Sequence, residues 1–387
     1  MKKRLSFVAL LAAFAFVVVA CGDDDTSPTT TIAATTTTGG TTTTTPETTT
    51  TAAPEPTALA CQVSDVAGID DKSFNETAWA GMEQAQAELG VSIEFLESND
   101  ATDYRPNIDA FIGQGCDVII TVGFLLSNDT AAAATDNPEQ LFAIIDYPVF
   151  FPGDEGPVFV DPFVAGNDAN VRGISFQTDQ AAFLAGYLAA GLSASHVIGT
   201  FGGIEIPPVT IFMDGFAWGA AYYDSVKGTT TEVIVGAFTG NFESLEDGRA
   251  RAESLMDEGA DVILPVAGPV GLGSCAAIQE ANAAGANVMM IGVDADQFFS
   301  APECADVLLT SIQKHMDAAV FNTIQNVLVL GTLGNQYLGT LANGGVGLAP
   351  FHEFESVVGD LAAELVQLEA AIVAGEVAVA APEVAEG

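Results

Sequence analysis

Basic residues are scarce. Lysine and arginine number 10 in 387 residues against 51 acids, and the formal charge is −41. Such a surface repels phosphate backbones and argues against nucleic-acid binding; it would repel anionic lipid as well. Histidine is rarer still. His196, His315 and His352 are scattered, with no cluster to hold a metal or supply a catalytic base. No GxSxG elbow, HExxH helix or GxxxxGK(S/T) phosphate loop occurs, so the common hydrolase, metalloprotease and nucleotide signatures are missing. No enzyme and no cofactor are expected. Of five cysteines none has CxxC spacing, which disfavours zinc.

One apolar run is long. Leu5–Ala20 follows Lys2, Lys3 and Arg4 and ends in small residues before Cys21. It is too short for a convincing spanning helix and reads as an export signal over residues 1–20. The small residues resemble a bacterial lipobox, which would leave Cys21 lipidated at the outer face of the membrane. From Gly22 to about Ala58 the chain is mainly Thr, Pro, Gly and Ala, with no aromatic residue and one isolated isoleucine, Ile32. It cannot bury enough to offset its ordering entropy, so residues 21–60 read as a tether. With so acidic a surface, attachment would rest on acyl chains alone.

The remainder is long enough for two lobes. Strand-length apolar runs occur at 62–66, 93–96, 118–122, 141–145, 197–201, 232–238, 262–266 and 288–293. Helical stretches lie between them, among them 76–89, 180–192, 245–257 and 275–284. Continuous apolar strands alternating with helices indicate parallel sheets covered on both faces, an α/β fold. A Pro-, Gly- and acid-rich break at 148–170 separates two such series. The expected lobes are 61–178 with a returning segment near 307–330, and 179–306 with about 335–376, followed by a tail at 377–387. In an exported protein the four remaining cysteines read as two disulfides. Cys61 and Cys116 each precede a strand; if those strands are neighbours the two can bridge, leaving Cys275 with Cys304.

In doubly wound sheets ligands sit beyond the carboxyl ends of the strands. There the sequence places "SDVAGIDDKSFNETAWAGM" after the first strand, then "IIDYP", "VAGPVGLG" and "IGVDADQ". Each carries a carboxylate, glycines or an aromatic, and together they point to one cleft. Asp70 and Asp71 could do acid–base work, but adjacent acids in a turn usually point apart. "AGPVGLG" has no lysine or arginine nearby and suits a neutral hydroxylated ligand better than an anion.

The blocks "DVAGIDDKSFNETAWAG", "FLAGYLAAGL", "IGTFGGIEIPPVTIFMDGFAWGA", "GADVILPVAGPVGLG", "IGVDADQ" and "VLLTSIQK" resemble the basic membrane protein family across residues 62 to about 374. This resemblance implies a lipoprotein of the type I periplasmic-binding-protein fold, with two Rossmann-like lobes around a ligand cleft. It also implies a nucleoside ligand, an ABC permease and its ATPase as partners, and a monomer. Phe74 and Phe242 match the positions that sandwich the base. Asn75 and Asp146 match the base edge, and Asp65 either touches the ligand or orders its loop. Gly268, Asp294 and Lys314 match the sugar side. Local alternatives stand beside these roles: a hydrophobic staple for Phe74, local packing for Phe242, a helix cap for Asn75, a surface charge for Lys314. Asp70, Asp71 and Lys72 are expected to shape the loop. The 148–170 segment is longer than the matching family connection. Rival readings are a receptor for a sugar or other small polar solute, and a sensing lipoprotein without transport.

Overall fold

The structure, a computed structural model, describes residues 58–147, 149–151, 158–160 and 170–381. The signal segment, Cys21, most of the tether, most of the 148–170 segment and the end of the tail lie outside the described residues. Short β-branched runs and intervening helices follow one another as the alternation predicts. The first series is β1 (Leu59–Val63), α1 (Phe74–Leu89), β2 (Ser92–Leu96), α2 (Tyr104–Gln114), β3 (Val118–Val122), α3 (Ser127–Asp136) and β4 (Leu141–Ile145). A hairpin of β5 (Val149–Phe151) and β6 (Val158–Val160) precedes β7 (Val171–Phe176).

The second series is α4 (Thr178–Leu192), β8 (Val197–Gly202), α5 (Pro207–Lys227), β9 (Glu232–Val235), α6 (Leu245–Asp257), β10 (Val262–Val266), α7 (Val270–Ala283) and β11 (Met289–Asp294). The chain closes with α8 (Gln297–Ser300), β12 (Leu308–Lys314), α9 (Met316–Leu330), β13 (Tyr337–Gly339), β14 (Val346–Leu348), α10 (Glu355–Val358) and α11 (Leu361–Val373).

Two six-stranded sheets result, in the orders β13-β7-β4-β3-β1-β2 and β14-β12-β11-β10-β8-β9. All strand pairs in them are parallel except β12 with β14. Their central strands are buried from end to end, as sheets covered on both faces require. In β3, Val118, Ile120 and Val122 face the core shared with α1 and α9, while Ile119 faces the core under α2 and α3. In β10, Val262 and Leu264 face α4 and α5, and Ile263 faces α6 and α7.

The chain passes between lobes three times, after β7, after β12 and between β13 and β14. This differs from the expected boundaries in two respects. The stretch near 307–330 does not return whole to the first lobe: β12 pairs with β11 in the second sheet, and only α9 packs on α1 of the first. Similarly β13 joins the first sheet, although it falls in the segment expected for the second. The first strand also ends three residues earlier than its apolar run suggests, because Asp65 turns the chain, accepting from Ala67 N at 3.1 Å.

Helix pairs approach through glycine. A Cβ on Gly219 of α5 would lie 1.9 Å from the Phe183 carbonyl oxygen of α4, and one on Gly186 would lie 1.9 Å from Phe216 O. The same device joins α1 to α9 at Gly81 and α6 to α7 at Gly248 and Gly273. Cys61 is bonded to Cys116 with Cα atoms 6.1 Å apart, and Cys275 to Cys304 with Cα atoms 5.8 Å apart. The first links the middle of β1, where Cys61 lies inside the strand rather than before it, to the approach to β3. The second ties α7 to the segment that follows α8.

Gly219→Ala is expected to destabilise the protein by about 3 kcal/mol or more, since backbone rather than a mobile side chain opposes the new methyl. Gly113→Ala, where nothing lies within 4 Å, should instead gain up to about 1 kcal/mol. Urea unfolding of both variants checks the contrast.

Candidate functional site

Where strand order reverses in a doubly wound sheet, neighbouring loops leave on opposite faces and open a gap. The reversal falls between β1 and β3 in the first lobe and between β8 and β10 in the second. These loops face a shared crevice with about 580 Å³ of space free of protein atoms, its open mouth included. Asp65, Phe74, Asp146, Phe242, Gly268, Asp294 and Lys314 all line it. Asn75 does not.

The polar end is built by symmetry of position. β4 and β11 hold the same place in their sheets, and an aspartate with φ of 66° follows β4 as Asp146 and closes β11 as Asp294. A left-handed conformation is uncommon outside glycine and is tolerated best by Asn, Asp and His. Here it ends the strand and turns each carboxylate into the crevice. Lys314, at the end of β12, meets both: its Nζ lies 2.7 Å from each Asp146 oxygen and 3.9 Å from Asp294 Oδ1. The ammonium is 2% exposed and lies 4.6 Å from the Phe74 ring centroid and 5.3 Å from that of Phe176. The bidentate carboxylate and the aromatic faces offset its desolvation. Asp146, read as a base-edge residue apart from Lys314, is thus its direct partner. Burial pushes both aspartates above the usual carboxylate range, and Lys314 opposes that rise.

The loop after β1 holds two more buried acids. Asp65 Oδ1 accepts from Asn75 Nδ2 at 2.8 Å, and Asp71 Oδ2 accepts from the same nitrogen at 3.0 Å. Asn75 Oδ1 accepts in turn from Asp65 N at 3.3 Å. The Asn75 amide is therefore engaged between the two carboxylates, fully buried, rather than turned to the crevice. Nor is Asn75 the cap of α1, which starts one residue earlier; Ser73 holds that position. Phe74, the first helical residue, stands two places too late for the expected staple. Desolvation raises Asp65 to about 6 and Asp71 to about 7, in each case against the hydrogen bonds it accepts. Asp70, which pairs with Lys72 at the exposed side of the loop, shapes it from outside. Asp71 does more than shape the loop, since it also lines the crevice.

The other wall is apolar and was largely missed from the sequence. Ile206, Pro208, Val209 and Phe212 from the start of α5 line it, with Phe124 and Leu125 after β3. Phe124 follows a strand end, the signal that found the other loops. Phe212 sits on the apolar stripe of α5, and only the helix's placement beside the strand ends brings it to the site. Gly203 admits Phe242: a Cβ there would lie 2.3 Å from that ring.

Two lobes of this topology, closing on a polar crevice at their strand ends, define a solute-binding protein of the type I periplasmic-binding-protein fold. A solved ABC transporter solute-binding protein from Aeropyrum pernix K1 superposes with a TM-score of 0.70 at 26% identity, over 85% of this chain and 95% of that one. The family described as "ABC transporter substrate-binding protein PnrA-like" matches residues 59–383, and the chain belongs to it. Basic membrane protein A of Borreliella burgdorferi is 34% identical over 253 residues, 65% of this chain and 67% of that protein. The ABC transporter nucleoside-binding protein BmpA of Lactococcus lactis subsp. cremoris is 31% identical over 245 residues, 62% and 64% respectively. Among the described residues no helix is long and apolar enough to cross a membrane.

A buried acid raised to about 6 binds its proton more readily folded than unfolded. Its favourable contribution is present below the ordinary pKa of 3.8 and is lost as pH rises through 6. Asp65→Asn should therefore melt higher than wild type at pH 8 and no higher at pH 4. Thermal scans at both pH values read the difference.

Proposed function

We propose that this chain is a lipid-anchored receptor that closes two lobes on a nucleoside, with purines preferred, and presents it to an ABC permease and its ATPase. The observation that carries this reading is the meeting of Phe74 from the first lobe and Phe242 from the second on one crevice, beside the Asp146–Lys314–Asp294 group. A nucleobase is a flat ring system with hydrogen-bonding edges, and ribose offers adjacent hydroxyls. Stacking on each ring would contribute roughly 1–3 kcal/mol. Asp65 and Asp146 accept from base N–H groups, and Asn75 contributes by holding Asp65. Asp294 accepts from ribose hydroxyls, Lys314 donates to one, and Gly268 lets backbone approach the sugar closely. Four carboxylates around one lysine disfavour a phosphorylated ligand.

The protein would act as a monomer at the outer face of the membrane, held through acyl chains on Cys21. It would release its ligand unchanged, without cofactor, metal or catalysis. Relatives named for nucleoside binding and for membrane association support this reading, as does the family's place in ABC transport.

Calorimetry of the full chain with inosine, guanosine, adenosine, cytidine and several sugars tests it. A purine nucleoside should bind at micromolar concentration or below. Binding of a sugar with no nucleoside would contradict the proposal and favour the sugar-receptor alternative; release of free base would make the protein an enzyme. Phe74→Ala should weaken nucleoside binding about tenfold or more with the fold intact. An unchanged dissociation constant would rule out stacking on that ring.

A further inference from the structure

A serine at the head of a helix ordinarily turns its hydroxyl back to accept from a backbone N–H two or three residues on. Ser73 occupies that position before α1, yet its side chain makes no capping bond. Asp71 caps in its place. Its Oδ1 accepts from Ser73 N at 3.0 Å and Glu76 N at 3.1 Å, and its Oδ2 accepts from Asn75 N at 2.8 Å. With the helix already capped, the Ser73 hydroxyl is free to bond elsewhere.

It reaches the opposite lobe. Ser73 Oγ lies 2.9 Å from Asp294 Oδ2 and 3.1 Å from Val293 O, where β11 ends, and the residue is fully buried. Beside it Ser300 Oγ, from α8 of the second lobe, donates to Lys72 O at 2.6 Å. Asp294 needs such a contact. Lys314 is committed to Asp146 and lies 3.9 Å away, so the hydrogen bond Asp294 accepts among the described residues comes from Ser73.

We infer that Ser73 is a positioning residue that orients the Asp294 carboxylate across the cleft, and does so only while the lobes are closed. Opening separates the loop after β1 from the end of β11 and leaves Asp294 without its donor. A ligand that bonds Asp294 then favours closure, and closure sharpens the grip on that ligand by the same free energy. The inference rests on the proposal that Asp294 holds the ligand.

Ser73→Ala in the full chain tests it, with guanosine as probe. Loss of a buried hydrogen bond to a charged acceptor should weaken binding roughly tenfold, chiefly through faster dissociation. The unliganded melting temperature should fall by a few degrees at most, because one bond between the lobes is lost while Asp71 still caps α1. Two further readouts separate positioning from general disturbance. In an Asp294→Asn background Ser73→Ala should change affinity less than twofold. Without ligand, amide exchange over residues 70–73 and 294–300 should quicken together. An affinity within twofold of wild type, or an equal loss in both backgrounds, would overturn the inference. Should wild type bind no nucleoside, the ligand reading fails, and the exchange measurement alone decides whether Ser73 joins the lobes: unchanged exchange would reject that contact too.

Discussion

One ammonium group holds the crevice together. Asp65, Asp71, Asp146 and Asp294 converge there from three strand ends and a helix start, each desolvated and each raised above its ordinary range. Left alone, four such acids would repel one another and drive the lobes apart. Lys314 meets Asp146 of the first sheet with both oxygens and lies near Asp294 of the second, so electrostatics favour the lobes together. The position of Lys314 matters as much as its charge. It ends β12, one residue before the chain crosses back to the first lobe, so the cation stands beside the hinge.

The scaffold supplies matched ends for this arrangement. Repetition of the same strand order places β4 and β11 in equivalent positions, and each delivers a left-handed aspartate to the crevice. The glycine contacts between helix pairs act on the same problem from behind. By bringing α4 against α5 and α6 against α7 at backbone distance, they set where the first turn of α5 and the loop before α7 meet the site. Acids held charged in a desolvated place cost stability, and such a site is retained for what it binds.

Much of this was legible in the sequence because it is local. Alternation of apolar runs with helices, the break at 148–170, and strand-end loops bearing acids and aromatics identify two lobes and a cleft. The family resemblance adds eight ligand candidates, of which seven line one crevice. What escaped depends on pairing and burial. Which sheet β12 joins is decided by its partners across the lobe, and its own pattern is silent on that. Asn75 has a side chain suited to a base edge, but Asp65 and Asp71 engage it first, ten and four residues away. Ser73 looks like a cap until Asp71 is seen to do the capping. Phe212 reads as core, and becomes cleft wall only through the placement of α5.

The central claim is that two rings from opposite lobes hold a planar base while Asp294 and Lys314 hold its sugar. A crystal structure of the protein grown with a purine nucleoside tests this most directly. The account predicts the base between Phe74 and Phe242, with ribose hydroxyls within hydrogen-bonding distance of Asp294 and Lys314. A crevice filled by some other molecule, or a nucleoside bound with neither ring against its base, would contradict it.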